Sequence, residues 1–331
     1  MKRFDAKKIL GVLRVLRSAR RPLGGARVAQ ELQALGLNLQ PRATRLYLEH
    51  LTQQGFVENV GPRGRQITPR GIQELQKASV IDRVGFTAAR VDALAYQTTF
   101  RLGGTSGRIV VNASVVDPYA LGAALRETEP VFRAGLGMGH HIAVAKSGEE
   151  FGDVQVPADK ALIATVCSVT LNGMLLAAGI PVTSRFGGVL EIQNSKPACF
   201  TDVIHYDGTS LDPLEIFIKG RLTSVAQAAR TGCGRIGVSF REIPSAAVAD
   251  VQRIARKLQR AGLNGILMIG RPNQPLLDFP VPEGRTGMIV AGGLNPMAAI
   301  EESGIPTTNF AMHSLVDFER FRPFNEVLNE L

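Results

Sequence analysis

Tryptophan is absent from this chain, cysteine occurs three times in 331 residues, and aromatic residues make up 6%. No uncharged apolar run reaches the ~18 residues that a membrane span requires. Cys167, Cys199 and Cys233 have no C-x-x-C spacing and no partnered histidine motif. That excludes a disulfide framework and argues against a structural zinc site. The first residues, Met1-Lys-Arg-Phe-Asp-Ala-Lys-Lys8, lack the apolar stretch of a signal peptide. These absences lead to the expectation of a cytoplasmic chain that is neither exported nor membrane-bound. Low-complexity segments are missing as well. With 45% hydrophobic and 20% charged residues the composition is globular, not disordered, coiled-coil or collagen-like. The length suits two domains.

What is present is charge, and it is unevenly placed. Residues 1–82 carry 15 Lys and Arg against 6 Asp and Glu, a net of +9; the remainder carries 23 against 23. A basic module joined to a neutral one predicts that the first meets a polyanion and the second meets something else.

The basic quarter reads as a winged helix. Ile9, Leu10, Val12, Leu13 and Leu16 recur at helical spacing between Asp5 and Arg20. A second helix is expected over Ala26–Leu35, closed by Gly36, and a third from Pro41 to about Gln54, with Leu46, Leu48 and Leu51 inward. Phe56–Val60 and Gln66–Thr68 then form two short strands around Gly61-Pro-Arg-Gly-Arg65, a basic wing. Thr68 caps a final helix that runs to about Ala78. Arg42, Thr44, Arg45 and Tyr47, at the start of the third helix, are the candidates for base contacts. The arginine fork suits guanine because it meets two acceptors at once. Arg63 and Arg65 are the candidates for phosphate or the minor groove. A helical dimerisation cap with merely solvating arginines is the plain alternative.

The neutral module alternates β-branched and Ala/Leu-rich runs, as an α/β domain does. Strands are expected at 107–112, 161–166, 235–240 and 265–270; helices at 119–127, 172–178 and 246–261, the last closed by Gly262. Cys167, Ser168, Thr170 and Asn172 would lie where a strand ends and a helix begins, a place whose free N–H groups favour anions. Arg185, ahead of Gly187 and Gly188, is a carboxylate partner on a loop open to close backbone approach. Together they describe a pocket for a small carboxylate metabolite. The same residues also read as a helix cap, core side chains and turn glycines, and the residues alone leave both readings standing.

Leu171-Asn172-Gly173-Met174 through Gly179-Ile-Pro-Val-Thr183 can be laid on Leu294-Asn295-Pro296-Met297 through Gly304-Ile-Pro-Thr-Thr308, with a two-residue insertion. Either the module is internally duplicated, with Asn295 matching Asn172 and two helix N-termini around one pseudo-symmetric site, or shared capping grammar coincides. His140-His141 has no third ligand at metal spacing, and Gly135-Leu-Gly-Met-Gly139 lacks the P-loop lysine. No metal or cofactor is expected.

Two resemblances cover nearly the whole chain. Residues 6–76 resemble the winged helix at the start of ribonuclease R. Residues 83–331 resemble the effector domain of NrpR-type repressors, the nitrogen regulatory protein R family. The segments that carry it are Val166-Cys-Ser-Val-Thr-Leu-Asn-Gly173, Gly179-Ile-Pro-Val-Thr-Ser-Arg-Phe-Gly-Gly188, and Gly293-Leu-Asn-Pro-Met-Ala-Ala-Ile-Glu-Glu-Ser-Gly-Ile-Pro306. The resemblance implies a repressor that binds double-stranded operator DNA as a homodimer or larger assembly. Release by 2-oxoglutarate, held at the Cys167–Asn172 segment, is implied with it. Some members carry two tandem effector domains; this chain has one. The expected architecture is an α+β winged helix-turn-helix (1–80) followed by a larger α/β effector-binding domain (83–331). The expected function is transcriptional repression in nitrogen metabolism, not catalysis. The rivals are a metabolic enzyme using the Cys167 segment, its winged helix binding RNA or a partner, and a ribonucleoprotein accessory factor.

Overall fold

The computed structural model describes residues 6–19, 21–34, 39–75, 86–101, 106–152 and 154–330. They fall into two compact units, Met1–Gly85 and Phe86–Leu331.

The first unit runs α1 (Ala6–Ala19), α2 (Gly25–Ala34), α3 (Pro41–Gln53), β1 (Val57–Asn59), β2 (Arg65–Ile67) and α4 (69–75). Val12, Leu13 and Leu16 of α1 close on Val28, Leu32, Leu48 and Leu51 in one buried cluster. Pro41 takes the first position of α3, where its missing N–H costs nothing. β1 and β2 pair antiparallel, and Leu23 adds a third strand's worth of pairing by exchanging backbone bonds with Arg65. A Cβ on Gly64 would sit 2.4 Å from the Leu23 carbonyl, so this close approach requires glycine. Thr68 accepts the Gly71 N–H as the expected cap. The expected Gly36 cap, the end of α4 near Ala78 and the short linker around Ser79–Arg83 lie outside the described residues. Leu46 departs from expectation: it is exposed, because it faces outward with Arg42 and Arg45.

The second unit begins with α5 (Thr87–Gln97). It continues β3 (Arg108–Val116), α6 (Leu121–Arg133), β4 (His141–Ala145), a small β5–β6 hairpin (Glu150–Phe151, Val154–Gln155), β7 (Ala161–Val166), α7 (Val169–Ala177), β8 (Thr183–Gln193) and β9 (Lys196–His205). α8 (Pro213–Lys219) and α9 (Val225–Thr231) lead to β10 (Gly234–Pro244), α10 (Val248–Arg260), β11 (Ile266–Ile269), β12 (Arg285–Ala291), α11 (Asn295–Glu302), β13 (Thr308–Asp317), β14 (Arg322–Pro323) and α12 (Phe324–Asn329). Two five-stranded antiparallel sheets result, ordered β13-β3-β7-β4-β14 and β11-β12-β10-β8-β9.

These orders reveal an internal duplication. The path β3-α6-β4-β7-α7-β8 recurs as β10-α10-β11-β12-α11-β13, and each copy sends its last strand into the other copy's sheet. Gly107-Arg-Ile109 recurs as Gly234-Arg-Ile236, and Arg133-Ala-Gly-Leu136 as Arg260-Ala-Gly-Leu263. Gly135 and Gly262 cap α6 and α10 at φ +68° and +70°. One core gathers α6 and α11, the other α7 and α10, and both draw residues from the two sheets.

The register of the repeat corrects the sequence alignment. Helix α7 starts at Val169, not after Asn172, and Gly179-Ile-Pro matches Gly304-Ile-Pro without any insertion. Thr170, not Asn172, therefore stands opposite Asn295. The hydrogen bonds agree. Thr170 Oγ1 bonds both the N–H and the C=O of Val110 at 3.0 Å, and the Asn295 amide bonds both the N–H and the C=O of Gly237 at 2.9 Å. Val110 and Gly237 each follow the shared Gly-Arg-Ile. Thr and Asn satisfy the same backbone pair with different chemistry, which hid the match.

Candidate DNA-reading face and effector cavity

Past Pro41, the exposed residues of α3 are Arg42, Arg45, Leu46, Glu49 and Gln53, one continuous stripe. Arg42 and Arg45 are thus presented as expected. Thr44 is not: it is fully buried and its hydroxyl donates to the Gln40 carbonyl at 3.1 Å, closing the first turn of the helix. Tyr47 is half-buried against the core. Arg63 is exposed on the wing turn. Arg65 turns back, and its guanidinium donates to Thr52 Oγ1 of α3 at 3.3 Å while its backbone is bridged to Leu23, so it braces the wing instead of tipping it. Leu46 was missed because helical spacing fits it to either face. On this stripe it can meet a thymine methyl.

In the second unit the starts of α7 and α11 converge on a cavity of about 20 Å³, room for about one water. Cys167, Ser168 and Val169 line it from one copy, Gly293 and Leu294 from the other; Asn112, Ser184, Tyr206, Asp212 and Arg241 complete the polar wall. Arg241 dominates. It is 2% exposed and no carboxylate lies within ion-pair distance of it among the described residues. Its Nη1 donates to the Ser168 carbonyl at 2.9 Å and to Asn172 Oδ1; its Nη2 donates to Ser168 Oγ at 2.7 Å. Its Nε has no partner. Burial lowers its pKa to about 10, which still leaves a full positive charge at neutral pH. A buried, charged guanidinium with one open donor is costly unless something anionic completes it.

The neighbours are tuned by the same burial. Desolvation, then the Glu215 charge, push the Asp212 carboxyl up to about 6, although it accepts the Leu214 N–H at 2.9 Å and caps α8. Burial also raises the Tyr206 phenol, and it raises the Cys167 thiol to about 11. A thiol held that high is not a nucleophile at neutral pH, and no histidine lines the cavity, so the geometry gives no support to an enzyme built on Cys167.

The other expected residues have structural tasks. Asn172 steadies Arg241 and donates to Ser184 Oγ at 2.9 Å from within α7. Thr170 and Asn295 are the two backbone clasps. Added Cβ atoms would meet Pro213 at 2.6 Å from Gly187 and Phe200 at 2.8 Å from Gly188, so these glycines make room for packing. Arg185 does not reach the cavity. It lies 3.4 Å from Glu242 and lines a separate outer pocket of about 260 Å³ with Ala88, Asp92, Ser184, His205 and Asp207. The His140-His141 pair packs over Gly262, whose carbonyl takes the His140 N–H at 3.0 Å and His141 Nδ1 at 3.2 Å. Among the described residues no cluster of three or more His, Cys, Asp or Glu could hold a metal ion.

Residues 84–323 match the family described as NrpR regulatory domains NRD1 and 2, and residues 10–75 match the ribonuclease R winged-helix domain. The chain belongs to the NrpR family. It is similar to the global nitrogen regulator NrpRI of Methanosarcina mazei, 34% identical over 96% of this chain and 97% of that one. It is 28% identical to the global nitrogen regulator NrpR of Methanococcus maripaludis, over 95% of this chain and 55% of that longer protein. A nitrogen repressor-like protein from Methanococcus jannaschii has a similar solved structure, with TM-score 0.62 and 27% identity over 72% of this chain and 99% of that one. These NrpR relatives are named as regulators, not enzymes. No described helix is long and apolar enough to cross a membrane.

Proposed function

We propose that the chain is a cytoplasmic, DNA-binding transcriptional repressor of nitrogen metabolism, released by a small anionic metabolite, 2-oxoglutarate, that binds at the Arg241 cavity. The observation that carries the effector site is Arg241: buried beside the cavity, charged, without a carboxylate in ion-pair reach among the described residues, and with its Nε unpaired. One carboxylate of the ligand completes that guanidinium, and the second is taken by Arg185 of the outer pocket. DNA contact rests on the outward stripe of α3 and on Arg63. A dimer or larger assembly follows from the few base pairs one winged helix reads.

Calorimetry of 2-oxoglutarate on the full chain, with and without its selected DNA site, tests the reading. The effector must bind the DNA-free form better, and DNA must weaken effector binding by the same factor. No binding of 2-oxoglutarate, or binding indifferent to DNA, overturns it. On the DNA side, Arg42→Ala is expected to cost ~1–3 kcal/mol on the selected site and less on random DNA. Arg63→Ala should flatten the salt dependence, whereas Arg65→Ala should not. Titrations across salt concentrations separate these outcomes.

A further inference from the structure

The cavity beside Arg241 is too small for a dicarboxylate, so the site must open, and its walls differ in how firmly they are held. Ser184 and Arg241 sit in strands of one sheet, Asn112 and Met312 in strands of the other, and Gly293 and Leu294 lead into a helix buried in the larger core. Helix α5 belongs to neither sheet. Its Val91 faces the inner cavity, its Ala88 and Asp92 face the outer pocket, and Ser184 is common to both spaces.

We propose that α5 is the movable wall of the effector site, and that its displacement carries effector occupancy to the winged helix. The inference rests on the effector reading above. Three observations support it. First, α5 is fixed by a few separable ties. The Thr87 N–H donates to the Thr209 carbonyl at 2.9 Å, the Thr87 hydroxyl to the Leu211 carbonyl at 3.2 Å, and Arg90 Nη2 to the Met312 carbonyl at 2.8 Å. Its apolar side joins a small cluster of Val91, Ala95, Val110, Cys167, Val169, Met312 and Leu315, apart from both main cores. Elements so held open at lower free energy than the core around them.

Second, α5 rests on bare backbone of the helix that grips Arg241. A Cβ on Gly173 in the middle of α7 would come within 2.4 Å of Thr98 Cβ and 2.6 Å of the Ala95 carbonyl. Glycine weakens a helix interior, and here close seating of α5 is what requires it. Asn172, the residue before Gly173, and Ser168, the N-cap of the same helix, both accept from Arg241. Third, α5 begins at Thr87, directly after the boundary between the two units. Any movement of α5 moves the point from which the winged helix is tethered. Withdrawal of α5 joins the inner cavity to the outer pocket and places Arg241 and Arg185 on one ligand.

Gly173→Ala in the full chain drives a methyl group under α5. It is expected to weaken operator binding at least tenfold without effector and to tighten 2-oxoglutarate binding at least threefold. Simple destabilisation would weaken both, so the opposite signs are the signature. If both affinities match wild type, or both weaken together, the inference is wrong. Hydrogen exchange on the unmodified protein gives a second reading. Saturating 2-oxoglutarate should speed exchange over residues 86–98, where a static wall would be protected; unchanged or slower exchange there overturns the proposal. If 2-oxoglutarate fails to bind wild type, the effector reading falls and takes this one with it. If it binds through Arg241 while Gly173→Ala and the exchange behave as a static wall, only the role of α5 is lost.

Discussion

The two copies inside the second unit share a path, a pair of αL glycine caps and a side-chain clasp, yet only one carries the charge. Where β10 has Arg241, the matching position of β3 has the uncharged Ser114, which donates to Asn309, itself bonded to Thr307 and Glu301. Where the first copy steadies Arg241 with Ser168 and Asn172, the second has Gly293 and Met297. Duplication supplied two helix starts facing one axis. A single strand residue then put a buried positive charge beside the space between them. The frame is symmetric and the chemistry is not.

Making the copies alike at that residue should have the largest effect. Arg241→Ser is expected to lower 2-oxoglutarate affinity at least 100-fold, about 2.7 kcal/mol, while operator binding without effector persists. Calorimetry paired with DNA titration measures both; retained effector affinity would show that the asymmetry has another purpose. Next come the clasps. Asn295→Ala removes the bonds to Gly237 and the one to the Leu136 carbonyl at 2.7 Å, and should cost about 3 kcal/mol of stability; Thr170→Val should cost about 1–2. Equal losses in denaturant titration would erase the distinction between a two-bond and a three-bond clasp. The smallest effect concerns Asp212. Its folded carboxyl sits above its unfolded value, so its favourable contribution is full below about pH 4 and is lost as pH rises through about 6. Asp212→Asn keeps the acceptor that caps α8. It should exceed wild type by about 1 kcal/mol at pH 7, after discounting for solvent, and match it near pH 4. A constant gap between the two melting curves across that range would count against the assignment.

Local structure was readable from sequence and non-local placement was not. The winged helix emerged because its signals act over a few residues: Pro41 opening a helix, Thr68 capping one, glycines around the wing. The strand at 161–166 and the Gly262 cap were equally local. Arg241 was invisible because the expected strand stopped at Phe240, and nothing in one strand shows that a second sheet and two helix starts will bury its next residue. Arg185 attracted notice through neighbouring glycines that turned out to be packing sites under Pro213 and Phe200. The repeat was seen two residues out of register because matching asparagines outweighed matching tasks.

The exchange of β8 and β13 between sheets sets the order in which this unit can assemble. Asp317 pairs with Arg108 and Gly234 with Ile192, so neither sheet can be finished until chain from both copies exists. Closing the first of these pairings spans about 200 residues, and such distant contacts slow folding because chain entropy is lost before they form. A nascent first copy leaves the ribosome with β3 lacking β13 and β8 lacking β10 on the side away from β9, a template for joining another nascent chain. The same topology means that a chain severed at exposed Gly220 would yield two fragments, each holding the strand that completes the other, able to recombine into one unit but not to stand apart.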